Sequence, residues 1–495
     1  MKLGVVGAGA MGQGIVQVAA TGGVPVFVFD AMDGAAERGL EQVRARISRL
    51  AEKGRLTGDE AGAALDLLHA AASLEDFADC TVVIEAVFED LDLKQSIFGQ
   101  LEDIVSDDAI LASNTSSLLI ASIAKSCRRR ERIAGMHFFN PVPLMKLVEV
   151  IRGPETSPDV VAVLNDLGRR MGREPVTVKD APGFLVNHGG RAYTTEAMRI
   201  LHEQVATAPQ IDAVMRECCG FRMGPFELAD LTGIDVNYPV SQIVYNGYNQ
   251  DPRLKTSFPH LSLYEAGRFG RKTGQGTYTY DESGQAASAE KADFVSDANP
   301  AGKIHIDRTD DAAEAFFGPL ECQIIPDDDG QSPIVAALLG EDCTAYAWRS
   351  GIDHRRLVAI DLQCDPSKRV TLMTAPGADP AHRSAVAALV ASTGRAVTLI
   401  HDSPGFISQR IRAMVANLGC EMAQIGIAEP ENIDLAMRLG LNYPLGPLEL
   451  AEELGLSDTM TVLEHLQAIT GEDRYRPSLW LKRRAALGLP IHTAD

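Results

Sequence analysis

The chain carries 495 residues, with 46 Lys and Arg against 67 Asp and Glu, for a formal net charge of −21 at pH 7. So large a surplus of acid argues against nucleic acid and anionic membrane surfaces as general partners, because a polyanion would need a local basic patch. Hydrophobic residues at 45% and charged residues at 23% are globular proportions and exclude a disordered or fibrous chain; no apolar run approaches the ~18 residues of a membrane span, and the length predicts about three domains.

In chain order, Lys2–Gly7 is a short apolar run suited to a buried parallel strand. Gly7-Ala8-Gly9-Ala10-Met11-Gly12 follows, then a helical stretch from Gln13 to Ala20, then a second strand, Val24–Phe29, ending in Asp30. The glycines and Gln13 break what would otherwise mimic a signal peptide. A GxGxxG between strand and helix, with an acid 18 residues past Gly12, is a dinucleotide fingerprint. Gly7 makes the tight turn, Gly9 admits a pyrophosphate, and Gly12 lets helix and strand pack. The helix N-terminus offers free N–H groups to the phosphates, and Asp30 can accept from a ribose 2′-hydroxyl. Ala31 and Met32 supply no arginine for a 2′-phosphate, which favours NAD over NADP.

Helical patterns over Ala36–Lys53 and Asp59–Ala72 form an inserted hairpin. Strand signals resume at Thr81–Val87, Ala109–Ala112, Ile133–His137, Leu147–Ile151 and Val176–Val178, with helices such as Leu91–Ile104 and Pro158–Met171 between some of them. The alternation predicts an α/β Rossmann-like domain over residues 1–180 with a mostly parallel sheet.

Two segments carry candidate chemistry: Ser113-Asn114-Thr115-Ser116-Ser117-Leu118, and the run from Gly135 through His137-Phe138-Phe139-Asn140-Pro141 to Glu149. Ligands of parallel sheets sit beyond the carboxyl ends of strands, where Ser116 and His137 fall, so both are expected to face the nicotinamide, with Ser116 among the cofactor contacts. Oxidising an alcohol requires a base for the hydroxyl proton, and histidine titrates in the right range. Glu149, on the next strand, can fix the tautomer of His137 and stabilise its imidazolium.

Together with Asp180-Ala181-Pro182-Gly183-Phe184-Leu185-Val186-Asn187, these segments resemble the L-3-hydroxyacyl-CoA dehydrogenase family over residues 1 to about 280. The resemblance implies NAD-dependent oxidation of an (S)-3-hydroxyacyl-CoA to the 3-oxoacyl-CoA. It implies that Ser116 and Asn187 contact the substrate side, that Asn140 lies beside the nicotinamide, and that Glu89 and Lys94 contact NAD along with Gly7, Gly9, Met11, Gly12 and Asp30. It places Ser48, Lys53 and Arg55 where the family binds CoA; a solvated charged face is the other reading of those three. The sequence departs from the family at His188-Gly189-Gly190-Arg191. Two glycines in an early helical turn cost about 1 kcal/mol each against alanine. They mark either a local irregularity or room for a bulkier acyl chain. Arg191 and Arg222 are candidate partners for a carboxylate on that chain.

Residues 181–285 read as an all-α domain, and the Gly/Ser/Ala/Asp-rich passage Asp281–Pro300 as a linker. The later sequence repeats the earlier at a constant offset of 222: Asp180–Phe184 as Asp402–Phe406, Ile211-Asp212 as Ile433-Asp434, and Gly224–Ala229 as Gly446–Ala451. Residues 300–400 are therefore expected to be a reduced Rossmann-like remnant, and 401–495 a second helical domain. The remnant has no GxGxxG, and the offset sets Ala359 opposite His137, Thr371 opposite Glu149 and Gln409 opposite Asn187. This second copy has lost its chemistry. Pairing of the two helical domains inside one chain is expected, with a homodimer also open. The two-copy layout resembles long bacterial forms acting on 3-hydroxybutyryl-CoA or 3-hydroxyadipyl-CoA, the latter in phenylacetate breakdown.

The eight cysteines, at 80, 127, 218, 219, 322, 343, 364 and 420, form no CxxC pair. Reduced thiols in a cytoplasmic protein are expected, and no metal site is. Two rival readings remain at this point: a dehydrogenase of a free hydroxy acid or sugar acid, and a non-catalytic NAD-binding relative.

Overall fold

The structure, a computed structural model, describes residues 1–286, 292–307 and 311–495. It divides into two compact units: residues 1–188 with 425–441, and residues 189–424 with 442–495.

The first unit opens with β1 (Leu3–Val6), α1 (Ala10–Thr21), β2 (Val26–Phe29), α2 (Ala35–Glu52), α3 (Gly58–Asp66) and β3 (Leu68–Ala70). The chain continues through β4 (Val82–Glu85), α4 (Leu91–Ile104), β5 (Ile110–Ser113), α5 (Ile120–Ala124), β6 (Ile133–Phe138), β7 (Leu147–Arg152), α6 (Pro158–Arg170), β8 (Glu174–Lys179) and α7 (Val186–Gly189). The eight strands form one sheet in the order β3-β2-β1-β4-β5-β6-β7-β8. All neighbours run parallel except β6 and β7. Fully buried Leu3, Val5, Val82 and Ile84 on the central strands pack with Ile15, Val43 and Leu164 of the covering helices. Such continuous apolar runs suit strands buried on both faces.

One helix is shorter than its pattern predicts. The Asp59–Ala72 segment leaves the helix after Asp66, and Leu68–Ala70 pair with Val26–Val28 as an edge strand. The open edge of β2 offers ladder partners, and His69 stacks on Phe27 at 4.6 Å; tertiary pairing overrides helix propensity there.

The second unit begins with α8 (Arg191–His202), α9 (Ala208–Glu217), α10 (Pro225–Thr232), α11 (Ile234–Gly247) and α12 (Phe258–Glu265). Asp212 explains the recurring Ile-Asp pair: its carboxylate accepts the N–H groups of Phe226 and Glu227 at the start of α10, 2.9 and 3.1 Å away. A six-stranded sheet follows, from β9 (Lys303–Ile306), α13 (Asp311–Phe317), β10 (Gln323–Ile325), β11 (Ile334–Ala337), α14 (Cys343–Ser350), β12 (Leu357–Ile360), β13 (Arg369–Met373), α15 (Pro380–Ala391) and β14 (Ala396–Ile400). Its order is β10-β9-β11-β12-β13-β14, with only β12 and β13 antiparallel. Then come α16 (Ser408–Gln424), α17 (Pro430–Leu441, in the first unit), α18 (Pro447–Leu454), α19 (Leu456–Thr470) and α20 (Leu479–Leu487).

The expected linker is partly anchored. Phe294 donates its N–H to the Val397 carbonyl at 2.7 Å, and Asp293 pairs with Arg369 at 2.6 Å. Residues 287–291 of that passage lie outside the described residues. The register also corrects one assignment. Ala359 pairs with Met373, so Asp361, whose N–H donates to the Thr371 carbonyl at 3.0 Å, stands across from Thr371. Asp361, not Ala359, is thus the positional counterpart of His137. The loop between the two strands is two residues shorter than in the first copy, which a constant offset cannot register.

Within the first unit α17 packs on β7 and β8. Lys179 donates its N–H to the Ile427 carbonyl at 2.8 Å, and a Cβ added to Gly440 would come within 3.0 Å of Val186. Within the second unit α9 packs on β13, and His401 donates its N–H to the Val205 carbonyl at 3.0 Å. These two arrangements are counterparts at the 222-residue offset. Also in the second unit, α8 lies against α16. There the buried Glu196 carboxylate takes Arg410 at 2.8 Å, Arg474 at 3.0 Å and the Tyr475 hydroxyl at 2.8 Å.

Candidate active site

The turn after β1 leads into a cavity of about 1040 Å³ at the carboxyl ends of β1, β2 and β4, where strand order reverses. Gly7 sits at φ +107°, where a Cβ would stand 2.6 Å from the Ala86 carbonyl oxygen. A Cβ on Gly12 would fall 1.8 Å from the Gly7 carbonyl oxygen, so the third glycine is required for α1 to start where it does. Gly9, with open space beside it, lines the cavity with Met11 and Asp30. Asp30 accepts the N–H groups of Ala8 and Met32 at 2.8 and 2.9 Å. Those bonds hold the carboxylate and leave it further lone pairs for ribose hydroxyls. Volume, phosphate-facing helix start and ribose acceptor all fit a dinucleotide. Phe88, 84% exposed, and Met32 also line this cavity; an apolar residue on an exposed loop gave no signal in the sequence.

The second feature lies at the end of β6. His137 and Glu149 are directly opposed in the β6–β7 ladder, and His137 Nδ1 meets Glu149 Oε2 at 2.6 Å. The antiparallel pairing makes this contact, because opposed residues share a face. Glu149 is fully buried, and its other oxygen accepts the N–H groups of Leu185 and Val186 at 3.1 and 2.9 Å. A carboxylate held this way fixes the proton on Nδ1 and leaves Nε2 as the basic nitrogen. Phe139 and Phe184 pack on the imidazole at 4.5 and 5.9 Å.

Around this pair the serine-rich turn is held from below. Glu89 accepts from the Thr115 hydroxyl at 2.6 Å, the Ser117 hydroxyl at 2.8 Å, and the N–H groups of Ser116 and Ser117 at 3.0 Å. Burial would raise the Glu89 carboxyl, but these donors and the Lys94 charge outweigh it and hold it below the usual carboxylate range. The Ser116 carbonyl accepts the Asn187 amide at 3.3 Å, and Ser116 itself is exposed, as is Asn140. Asn114 Oδ1 accepts the Phe138 N–H at 2.8 Å, tying the turn to the histidine strand.

The structure places the remaining candidate residues as follows. Lys94 is 1% exposed and pairs with Glu85 at 2.7 Å and Glu89 at 3.3 Å, so it holds these acids and does not form cavity wall. Ser48, Lys53 and Arg55 are exposed along and just past the C-terminal end of α2, away from the cavity lining. Arg191 is buried with its guanidinium bonded to Asn237 and Ser241 at 3.1 and 2.8 Å, whereas Arg222 is exposed. The double-glycine departure is a one-residue interruption at Gly190 between α7 and α8.

The sequence reading assigned no role to Glu85, Ser113 or Asp180. Glu85, at the end of β4, accepts from the Lys94 ammonium and from the Ser113 hydroxyl at 2.6 Å. Asp180 caps α5 through the N–H groups of Ile120 and Ala121, and burial raises its carboxyl despite these donors. A buried acid ending a strand nine residues before a lysine is the signal that could have found the Glu85 pair. Among the described residues no group of three or more His, Cys, Asp or Glu could hold a metal, and no helix is long and apolar enough to cross a membrane.

Residues 2–181 match the 3-hydroxyacyl-CoA dehydrogenase NAD binding domain, and the C-terminal domain of that family matches twice, over 183–280 and 405–491. The chain is 38% identical to the 3-hydroxyadipyl-CoA dehydrogenase of Escherichia coli K12, over 98% of this chain and 97% of that protein. It is 40% identical to a probable 3-hydroxybutyryl-CoA dehydrogenase of Deinococcus radiodurans, over 57% of this chain and 100% of the relative. The crystal structure of a 3-hydroxybutyryl-CoA dehydrogenase from E. coli K12 aligns with a TM-score of 0.87 at 35% identity, covering 98% of both chains.

Proposed function

Since the chain belongs to the 3-hydroxyacyl-CoA dehydrogenase family, we propose that it oxidises an (S)-3-hydroxyacyl-CoA with a short or dicarboxylic acyl chain to the 3-oxoacyl-CoA. The observation that carries this reading is the 2.6 Å pair of His137 and Glu149, in the same unit as a cavity with dinucleotide features. NAD supplies the hydride acceptor when bound. Gly7, Gly9, Met11, Gly12 and Asp30 hold it, and Asp30 favours NAD over NADP by accepting from the 2′-hydroxyl and repelling a 2′-phosphate. His137 Nε2 takes the proton of the 3-hydroxyl, and Glu149 stabilises the imidazolium through Nδ1. The Ser116 hydroxyl and the Asn187 amide contact the acyl substrate, and Asn140 sits beside the nicotinamide. Glu89 and Lys94 act from beneath by fixing the serine turn. Ser48, Lys53 and Arg55 are the proposed CoA contacts.

A kinetic panel tests the substrate class: NAD with 3-hydroxybutyryl-, 3-hydroxyhexanoyl- and 3-hydroxyadipyl-CoA, and with free 3-hydroxybutyrate. The two CoA esters of short or dicarboxylic chains should give the highest kcat/KM. Preferential turnover of the free acid would overturn the assignment.

We also infer that the duplicated helical domains pair within one chain as a pseudo-dimer, leaving one active site per polypeptide. Support comes from the α8–α16 packing around Glu196 and from the exchange of equivalent helices, α17 onto β7 and α9 onto β13. Pairing in cis gives a high effective concentration. Truncation after Asp281 should expose apolar surface and yield an aggregated, unstable or newly dimeric protein; a truncated chain that stays monomeric and equally stable would refute the pairing.

A further inference from the structure

The second unit forms a cavity of about 980 Å³ between the α8–α9 connection, α12, residues 276–279 and the end of β14. It is nearly as large as the dinucleotide cavity, and no residue proposed for catalysis, NAD or CoA lines it. Its walls are held from behind. Asp230 accepts the N–H groups of Thr277 and Tyr278, each at 2.9 Å, and Asp212 accepts the Tyr278 hydroxyl at 2.6 Å. At the strand end, the Gln210 amide donates to the Leu399 carbonyl at 3.1 Å, and His401 Nδ1 to the Gln204 carbonyl at 2.7 Å. Apolar groups make up most of the surface, from Leu201, Val205, Pro259, Leu263 and Leu399. Among the described residues Arg268 is the one lysine or arginine in the lining, and no aspartate or glutamate lines it. Arg268 has no acid as its partner among the described residues. In a chain of net charge −21, an unpaired cation in an acid-free cavity marks a place for an anion. The Thr277 hydroxyl oxygen is buried and has no hydrogen-bond partner among the described residues, which is costly unless a ligand satisfies it. Gln204, on the same lining, lies in the left-handed region at φ 57°, where its counterpart in the repeat is Gly426 at φ 66°. A side chain is kept there against backbone preference. A mostly apolar, preformed cavity with a few convergent polar groups is the usual form of a small-molecule site.

We propose that this cavity is a second ligand site, which takes a fatty acid as its carboxylate anion. The carboxylate pairs with the Arg268 guanidinium and accepts from the Thr277 hydroxyl, a charge-assisted arrangement. The alkyl chain lies along Leu201, Val205, Leu263 and Leu399 and is taken out of water there. A single cation in the lining suits a single negative charge, and the apolar remainder suits an unsubstituted chain. Polyanions such as nucleotides would leave charge unmatched. None of these residues belongs to the dehydrogenase site, so this reading and the proposed oxidation of hydroxyacyl-CoA stand or fall separately.

The test is equilibrium dialysis of radiolabelled decanoate against the full-length protein. Saturating NAD and 3-oxobutyryl-CoA, two compounds that cannot react with each other, are present to keep the label out of the active site. Saturable uptake of one decanoate per chain is expected, with decanol, which lacks the charge, binding about tenfold more weakly or worse. Arg268→Gln should weaken decanoate about tenfold while turnover is unchanged, and Leu263→Trp, which fills the cavity, should abolish uptake. A measurement on the unaltered chain guards against misfolded variants: in crystals grown with 10-bromodecanoate, the anomalous signal of the bromine should fall in this cavity. No saturable uptake, uptake lost when NAD and 3-oxobutyryl-CoA are added, equal affinity for decanol, unchanged affinity in Arg268→Gln, or a bromine elsewhere would each overturn the proposal.

Discussion

The ends of β6 and β12 hold the same place in two related sheets and have diverged in chemistry. At the first, His137 faces Glu149, whose remaining oxygen is anchored by the backbone of Leu185 and Val186. At the second, Asp361 stands across from Thr371, whose buried hydroxyl has no hydrogen-bond partner among the described residues. Asp361 takes the Ser408 hydroxyl and the Gln409 amide instead, and burial pushes its carboxyl up to about 7. The scaffold around both ends is shared. Asp402 caps α14 through Cys343 and Thr344 as Asp180 caps α5. Gly183 and Phe184 adopt φ of 76° and 50°, and Gly405 and Phe406 adopt 74° and 50°. The duplicated half kept the groups that satisfy backbone and packing and lost the pair proposed to move a proton.

Breaking the first strand end should have the largest effect. His137→Ala is expected to lower kcat by roughly 10² to 10⁴ while NAD binding, followed by titration of fluorescence or heat, stays intact. Next is the network between the repeats. Glu196→Gln leaves the buried Arg474 guanidinium without its carboxylate and Arg410 with Glu203 alone, and should cost about 3–5 kcal/mol, read from the denaturation midpoint. The second strand end gives a smaller, pH-dependent effect. The Asp361 carboxyl is raised on folding, so it penalises the folded state increasingly as pH climbs from the unfolded value, about 4, to about 7. Asp361→Asn removes that penalty, and its stability advantage should widen by a few kcal/mol at most between about pH 5 and pH 8, with turnover unchanged. A flat difference would mean the carboxyl is not held neutral. Smallest is Asp30→Ala, expected to reduce the preference for NAD over NADP about tenfold, on the order of 1.4 kcal/mol, measured as the ratio of kcat/KM values.

Local pattern was a good guide where an element is decided locally. The strand–turn–helix around Gly7 and the Leu91–Ile104 helix follow their sequence patterns closely. The pairing of His137 with Glu149 was legible because both stand on adjacent strands with apolar flanks. What escaped depends on contacts distant in sequence. The edge strand at Leu68 exists because β2 has a free side, and the Glu85–Lys94–Ser113 group assembles from three separate elements. The Asp361–Thr371 opposition was hidden by a loop two residues shorter than its counterpart.

The placement of α17 has a consequence for synthesis. The first unit is complete only when residues 425–441 have been made, more than two hundred residues after His188. At 5–20 residues per second the face formed by β7, β8 and Val186 waits on the order of ten to fifty seconds for its covering helix. During that interval the nascent sheet presents apolar surface to the cell, so the emerging chain depends on being shielded until its C-terminal portion arrives.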